Sequence, residues 1–451
     1  MKYIVLVAVV VAVIFTRPWE YSFAGSFSSQ QDTVTAPLPD SVFEPENPAL
    51  LLPIGKMLSN SNSDIPEAGL LDKIIEKFMR KWDIRGASFA LMKEGQLLYS
   101  KGYGYADFES GVPMNTHHIL RIASVSKLIT AVGIMKLEED GKLRLNDRVF
   151  GKGGILDDTD FPYIKDPRAR QITVEHLLRH QGGFSVVYGD PMFCPVDVAK
   201  KMDAPAPADL HTMIRFVLSR RLGYAPGCGT MYSNIGYGIL SKVIEKVSGT
   251  DYESYIARNI LEPAGCFDMR LGRNLYEERY ENEVRYYENS AEPELIQACD
   301  GSGLEVPKYY GGNNIEGLSG AGGWVASASE LLRFLAAIDG KPGIPDILKP
   351  ETIARMTAYD AHSLPIGWMN TTPRGDWSRT GTLSGTNALL KQQHDGYAWV
   401  FITNTSCWKG HRFSEQINTM LGRALSAVEE WPDKDLFELQ RFKPYDYLVS
   451  Q

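Results

Sequence analysis

Residues 124–140 of this 451-residue chain read SVSKLITAVGIMKLEED. Apolar residues recur there at the three- and four-residue spacing of one helical stripe, which predicts a buried helix that Gly141 ends. The stripe consists of Val125, Leu128, Ile129, Val132 and Met135. Ser124 and Lys127 form an S-x-x-K pattern at its start, so their side chains share one face, about 5 to 6 Å apart at Cβ.

This S-x-x-K pattern combines a nucleophile with a candidate base. A serine hydroxyl needs a base within hydrogen-bond reach, and a lysine can act as one when burial or positive charge lowers its pKa. A helix N-terminus adds a positive field and N–H groups suited to an oxyanion. The pattern alone is weak, because Ser406 and Lys409 repeat it after a predicted strand, where we expect a surface turn.

A second motif, Tyr232-Ser233-Asn234, follows a Pro-Gly turn and precedes a helix predicted over 235–248. This setting would hold the Tyr232 hydroxyl rigidly. The same Y-x-N pattern occurs twice within the charged, tyrosine-rich segment 272–300, which predicts a solvated loop or surface helix. We therefore single out Tyr232.

A third motif, Arg379-Thr380-Gly381, precedes Thr382 and a turn at Gly385. A strand with a cation, a hydroxyl and a glycine lets the backbone approach a substrate while the charge and the hydroxyl bind a carboxylate or carbonyl. Such a tripeptide means little by itself.

In this order the three motifs resemble those of class C serine β-lactamases, D-alanyl-D-alanine carboxypeptidases and related esterases. Class A enzymes carry S-x-x-K, S-D-N and K-T-G, and the class C-like branch has Y-x-N as its middle motif. The resemblance spans about residues 67–425. It includes GYGYAD at 102–107, LLRHQGG at 177–183 and GGWVAS at 322–327.

The resemblance implies an α+β fold of the β-lactamase/transpeptidase-like kind. An antiparallel sheet from both chain ends is flanked by helices, and the middle of the chain adds a mainly helical subdomain. Hydrophobic patterns agree, with strand-like runs near both ends and helical patches between them. They predict helices at 67–82 and 412–425 and strands at 87–92, 96–103, 386–391 and 397–404.

The resemblance also implies a mechanism, in which Ser124 forms an acyl-enzyme and its proton passes through Lys127 and Tyr232 to the leaving group. Backbone N–H groups of Ser124 and Thr382 would hold the oxyanion, and Asn234 would orient Lys127 and bind a substrate amide. The predicted catalytic residues are Ser124, Lys127 and Tyr232. The predicted substrate-binding residues are Asn234, Arg379, Thr380, Gly381 and Thr382.

Arg379 departs from the family pattern, which usually has Lys or His before Thr-Gly. Arginine stays charged and can bind a carboxylate with two parallel hydrogen bonds, but it is bulkier and cannot shuttle a proton. We expect Arg379 to select acyl substrates that bear a carboxylate, and the exchange argues against β-lactam turnover.

Composition limits the partners. Hydrophobic residues at 44% and charged residues at 23% are typical of soluble globular proteins, and the net charge of −8 with no basic cluster argues against nucleic acid. The eight histidines form no H-x-E pattern and, although His176 and His180 are four residues apart, no H-E-x-x-H motif, so we expect neither a metal nor a cofactor. His180 is expected to be a packed, hydrogen-bonded structural residue outside the site. Five cysteines leave at least one unpaired, and their pairing stays open.

The N-terminus predicts export. Residues 3–15 are apolar apart from the leading tyrosine. This run is shorter than the about 20 residues that a membrane-spanning helix needs. Small residues before Gly25 predict a cleavage site after Ala24. The alternative is an uncleaved anchor held by Arg17 and Trp19, the one case in which we expect a membrane partner. We predict a signal peptide at 1–24, a flexible linker at 25–66, the hydrolase domain at 67–425 and a tail at 426–451.

We therefore expect an exported protein, periplasmic or secreted, or anchored through its N-terminal segment. The predicted function is that of a serine hydrolase acting on a small-molecule or peptide-like substrate: an ester, an amide of a D-residue, or a β-lactam-like ring. The alternative is a non-catalytic member of the family that binds such ligands or acts as a scaffold. The natural substrate stays open.

Overall fold

A computed structural model describes residues 58–440, except 186, 188 and 291. The predicted signal peptide with its cleavage site, residues 25–57 of the predicted linker and residues 441–451 of the predicted tail lie outside the described residues. Within the described part of the chain, no helix is long and apolar enough to cross a membrane.

The described strands, in chain order, are β1 (Gly86–Lys93), β2 (Gln96–Asp107), β3 (Val112–Pro113), β4 (Leu120–Arg121), β5 (Arg270–Leu271), β6 (Tyr287–Glu288), β7 (Leu295–Gln297), β8 (Glu305–Pro307), β9 (Trp324–Ala326), β10 (Asn370–Thr371), β11 (Trp377–Leu383), β12 (Thr386–Gln392), β13 (Tyr397–Thr403) and β14 (Thr405–Ser406). Within the described residues, seven of them form the main sheet, in the order β10-β11-β12-β13-β1-β2-β3. The sheet joins both ends of the described chain, because β1 pairs antiparallel with β13, with Ala87 opposite Thr403 and Lys93 opposite Tyr397.

Helices flank the sheet and fill the middle of the chain, which confirms the predicted α+β fold. In chain order they are α1 (Gly69–Lys81), α2 (Ser126–Glu139), α3 (Val174–Leu178), α4 (Pro195–Met202), α5 (Leu210–Leu218), α6 (Asn234–Ser248), α7 (Tyr252–Ile256), α8 (Glu262–Ala264), α9 (Ile315–Leu318), α10 (Ala328–Ala336), α11 (Pro350–Thr357) and α12 (Phe413–Leu425).

Period-two alternation divides the apolar residues of the sheet between two cores. Phe89 and Leu91 of β1 pack in a cluster with α1 and α12. Ala90 and Met92 face the opposite way, into the larger cluster that contains α2 and α10. This second cluster supports the start of α2, where the S-x-x-K motif lies.

Helix α2 lies inside the larger core, as its sequence predicts. Its residues from Ser126 to Met135 are all buried, and a 3-10 turn over Ala123–Val125 leads into it. Burial on all sides fixes the helix axis, so the motif residues at its start are held by packing as well as by hydrogen bonds.

Packed structure extends past the predicted domain bounds of 67 and 425. The Asn60 side chain donates to the carbonyl oxygens of Gly102 and Met114, at 3.2 and 2.9 Å. At the other end Leu436 and Phe437 are buried. These polar bonds and apolar side chains attach residues 58–66 and 431–440 to the sheet.

The segment 272–300, predicted to be solvated, is partly buried. Tyr286 is fully buried, and its ring lies 4.2 Å from the guanidinium carbon of Arg121, which is also buried. The Tyr286 hydroxyl accepts a hydrogen bond from the Arg121 N–H at 2.8 Å. Because the segment is rich in charged residues, its sequence did not indicate that one side of it packs behind strand β4, just before the nucleophile turn.

Candidate active site

Ser124 lies in the 3-10 turn that joins β4 to α2. The residue before it, Ala123, has φ 47°, a left-handed conformation that is costly for alanine and recurs at functional turns. The first N–H groups of a helix have no partner within it, so the Ser124 N–H is available to a ligand. Ser124 lines a cleft of about 860 Å³.

Lys127 lies one turn further along, fully buried beneath Ser124. Its Nζ donates to Ser124 Oγ at 3.3 Å and to Asn234 Oδ1 at 2.7 Å, and it also donates to the carbonyl oxygen of Ala321. Burial, assisted by the charge of Arg379, lowers the pKa of Lys127 against the opposing influence of Tyr232. The sequence motif did not indicate the Ala321 carbonyl.

The Tyr232 hydroxyl completes the group, 2.7 Å from Ser124 Oγ. Burial by itself would raise the pKa of Tyr232, but the charges of Lys127 and Arg379 outweigh burial and bring this pKa below its usual value. A tyrosine tuned in this way can take a proton from a neighbouring hydroxyl. The three predicted catalytic residues therefore meet around one oxygen atom.

Asn234 occupies the first position of α6, directly after Ser233, whose side chain caps the helix by accepting from the Gly236 N–H. While its Oδ1 accepts from Lys127, its Nδ2 donates to Asp190 Oδ2 at 2.7 Å. Asp190 thus fixes which way the Asn234 amide points. We did not predict Asp190 in the site; its sequence signal, an aspartate before Pro191, indicates a helix cap, which it also provides.

Strand β11 lies directly against the nucleophile turn at Gly381. A Cβ atom at this position would overlap the carbonyl oxygen of Ile122 and come within 3.1 Å of the Ser124 nitrogen. Only glycine permits this approach. Gly381 therefore sets the distance between β11 and the turn.

The position of Arg379 does not agree with our expectation that this residue binds a substrate carboxylate. Its side chain is 1% exposed, its Nε donates to the Ser124 carbonyl oxygen at 2.9 Å and its Nη2 donates to the Tyr232 hydroxyl at 3.3 Å. Strand alternation is the reason, because residues 379 and 381 face the nucleophile turn whereas 378, 380 and 382 face the other side. The guanidinium lies behind the catalytic group and does not line the cleft.

Thr380 and Thr382 do line the cleft. The Ser378 carbonyl accepts from the Met369 N–H on the β10 side, and every second residue of a strand directs its backbone groups the same way. The Thr382 N–H therefore points to that side too. Strand β10 pairs only as far as Ser378, so this N–H faces the cleft beside Ser124.

The cleft wall is partly apolar. Phe193, Leu318 and Met369 line it together with the polar residues around Ser124, and Phe193 and Met369 are about 40% exposed. Across residues 58–440, omitting the three residues not described, no group of three or more His, Cys, Asp or Glu side chains could hold a metal ion. All five cysteines are free thiols.

Family comparison agrees with the fold. The model of the Beta-lactamase family matches residues 71–416, and the chain belongs to this family. Similar proteins include an esterase and a penicillin-binding protein, so an activity of the serine hydrolase type is supported.

Two curated relatives illustrate the range of the family. The chain is 27% identical over 316 residues to the esterase EstB of Burkholderia gladioli, covering 67% of this chain and 78% of the esterase. It is 30% identical over 273 residues to Penicillin-binding protein 4* of Bacillus subtilis (strain 168), covering 59% of this chain and 55% of that protein. The match thus spans about half of the second relative.

Solved structures share the fold. An octameric penicillin-binding protein homologue from Pyrococcus abyssi superposes with a TM-score of 0.60 at 24% identity, over 81% of this chain and 79% of that one. The D-amino acid amidase of Ochrobactrum anthropi SV3, complexed with L-phenylalanine amide, gives a TM-score of 0.60 at 22% identity, over 80% of this chain and 97% of the amidase.

Proposed function

We propose that this protein is a serine hydrolase that cleaves an ester or amide through an acyl-enzyme on Ser124. One observation carries the proposal: Ser124 Oγ lies 2.7 Å from the Tyr232 hydroxyl and 3.3 Å from Lys127 Nζ, at the wall of a cleft. A nucleophile within reach of two proton-handling groups is the arrangement that covalent hydrolysis requires.

In the first step Tyr232, as phenolate, takes the proton of Ser124 Oγ while this oxygen bonds to the substrate carbonyl carbon. The carbonyl oxygen becomes an oxyanion and accepts hydrogen bonds from the N–H groups of Ser124 and Thr382. The bond to the leaving group then breaks, and Tyr232 returns the proton to the departing oxygen or nitrogen. The acyl group remains on Ser124.

In the second step water releases the acyl group by the reverse sequence. Tyr232 takes a proton from the water, whose oxygen bonds to the acyl carbon, and the Ser124 Oγ bond breaks with return of the proton. Lys127 and Arg379 contribute by keeping the pKa of Tyr232 low between steps. Asn234 keeps the Lys127 ammonium in place and presents an amide to the cleft.

The substrate class we propose is an ester or an amide, including amides of D-residues. The partly apolar cleft supports this choice, as does the presence of an esterase and a D-amino acid amidase among the similar proteins. Arg379 at the position usual for Lys or His argues against β-lactam turnover. We also propose that the domain acts outside the cytosol, on the basis of its N-terminal segment.

The test is hydrolysis of p-nitrophenyl butyrate together with labelling by a fluorescent fluorophosphonate. Wild type should hydrolyse the ester and take up the label, and Ser124→Ala should lose both with an unchanged melting temperature, because one hydroxyl is removed at a helix start. Ser414→Ala, at another serine that lines the cleft, serves as the control and should keep both.

Two outcomes would overturn the proposal. Activity that survives in purified Ser124→Ala would exclude Ser124 as the nucleophile. A folded wild-type protein that neither hydrolyses esters and amides nor takes up the label would favour a non-catalytic binding protein.

A further inference from the structure

His180 contacts the Tyr232 segment through three separate groups. Its Nδ1 accepts a hydrogen bond from the Ser233 N–H at 3.1 Å, and its carbonyl oxygen accepts from the Met231 N–H at 3.0 Å. Its ring lies over the Tyr232 ring, with centroids 4.5 Å apart. One residue thereby holds Tyr232 and both of its chain neighbours.

The backbone of His180 is bent to make these contacts. Its φ of 60° lies in the left-handed region, which is uncommon for a residue other than glycine and persists only when surrounding contacts impose it. This conformation directs the carbonyl and the ring toward the same segment. On the far side the ring packs against Tyr237, with centroids 5.0 Å apart, and only 2% of His180 is exposed.

We propose that His180 is a positioning residue that holds the Tyr232 hydroxyl at Ser124 by accepting the Ser233 N–H. The inference rests on the proposed hydrolase function, in which Tyr232 moves the proton. His180 lies behind the tyrosine ring and does not line the cleft. Its effect on catalysis therefore passes through Tyr232.

The hydrogen bond requires neutral imidazole. Because Nδ1 accepts, the ring proton is on Nε2, and protonation of Nδ1 would set two donors against each other. A charged ring would also lie near the cations of Lys127 and Arg379. Burial, with these two charges, holds the pKa of His180 well below its usual value, so the acceptor persists at neutral pH.

Two substitutions separate the acceptor from the ring. His180→Phe keeps an aromatic ring between Tyr232 and Tyr237 but cannot accept the Ser233 N–H. His180→Asn loses the ring but offers an amide oxygen near the position of Nδ1, and asparagine tolerates left-handed φ.

His118→Phe is the matched control. His118 is also buried, and its Nδ1 accepts a backbone N–H, that of Asn115, at 2.9 Å. His118 does not line the cleft. Both Phe variants therefore leave one backbone N–H without its histidine acceptor, but only one of these N–H groups is next to Tyr232.

The measurement is the pH dependence of kcat and KM for p-nitrophenyl butyrate. We expect His180→Phe to lower kcat on the order of 10- to 100-fold with little change in KM, as for other small displacements of a reacting group. Its rising pH limb should move to higher pH, because Tyr232 shifts away from Lys127 and Arg379. His180→Asn should recover most of the loss, and His118→Phe should keep kcat and the profile.

Wild-type kcat and an unmoved pH limb in His180→Phe would overturn the inference. Equal losses in His180→Phe and His180→Asn would also overturn it, since the acceptor would then not matter. If His180→Phe does not fold, His180→Asn decides alone: near-wild-type kcat supports the acceptor role, and a loss at an unmoved pH limb contradicts it. Failure of the proposed hydrolase function would look different from these outcomes, because the wild-type protein itself would then show no hydrolysis that depends on Ser124.

Discussion

Two positive charges lie beside the Tyr232 ring. Lys127 Nζ is 4.9 Å from the ring centroid, and the Arg379 guanidinium carbon is 5.8 Å from it. Both cations are buried, where electrostatic interactions are stronger than in water. At the scale of single residues, the proton chemistry therefore depends on Lys127, Tyr232 and Arg379 together.

Lys127→Ala and Tyr232→Phe should each slow acylation by about 10² to 10⁴, the usual contribution of a positioned acid-base group. The double variant should lose less than the product of the single losses, because Lys127 assists catalysis by lowering the pKa of Tyr232 and has no such effect once the tyrosine is replaced. Single-turnover kinetics with an activated ester measures each rate. Fully multiplicative losses would mean that the two residues act independently, contrary to the mechanism.

Arg379→Met should raise the pKa of Tyr232, because one of the two charges that lower it is removed. Catalysis needs Tyr232 to accept a proton, so the rate increases as pH rises through this pKa. The rising limb of the kcat/KM profile should therefore move to higher pH, with a loss on the order of 10-fold at neutral pH.

The same variant tests the buried position of Arg379. Arg379→Met should lower kcat/KM equally for a carboxylated ester and for its neutral methyl ester, since the guanidinium does not reach the cleft. Arg374→Met, at an exposed arginine of the same hairpin, should leave the profile unchanged. A loss confined to the carboxylated substrate would show that Arg379 meets the substrate after all.

At the scale of elements, activity depends on how closely β11 approaches the nucleophile turn. Gly381→Ala should separate them, because its Cβ would overlap the Ile122 carbonyl oxygen. We expect a destabilisation of about 1 to 3 kcal/mol. We also expect a fall in kcat/KM of about 100-fold, because the two N–H groups for the oxyanion lie on these two elements.

Gly422→Ala is the control for this substitution. Gly422 lies in α12 with no atom within 4 Å of a built Cβ, so alanine should stabilise the helix by about 0.5 to 1 kcal/mol and leave kcat/KM unchanged. Thermal unfolding and ester hydrolysis measure both variants. Wild-type activity in Gly381→Ala would show that this close approach is not required.

At the scale of the whole molecule, both ends of the described chain close over the sheet. Asp435 Oδ1 accepts from the Leu97 N–H of β2 at 2.9 Å, and Phe437 beside it is 3% exposed. Phe437→Ala should reduce the free energy of unfolding by about 3 to 5 kcal/mol through the cavity it leaves.

Activity of the folded Phe437→Ala protein should stay at the wild-type level, because Phe437 does not line the cleft. Its exposed neighbour gives the control, since Glu438→Ala should change the unfolding free energy by less than about 0.5 kcal/mol. Chemical denaturation measures both. A negligible change in Phe437→Ala would mean that residues 431–440 add nothing to the stability of the domain.

Local spacing allowed much of this architecture to be predicted. A spacing of three residues places Lys127 beside Ser124 on one face of any helix that contains both. Apolar periodicity predicts that α2 is buried, and it predicts the strands near both ends of the described chain. The order of three motifs then indicated the family. These features depend on neighbours along the chain, so the sequence alone determined them.

Contacts between distant segments were decided only by the tertiary structure. Asp190 meets Asn234 across 44 residues and Arg379 meets Ser124 across 255, and no local pattern records such pairs. Strand alternation sends the Arg379 side chain behind the nucleophile, but the sequence did not reveal which face of β11 meets the turn. His180 likewise required the fold, because its role depends on a backbone turned toward Tyr232 from a separate segment.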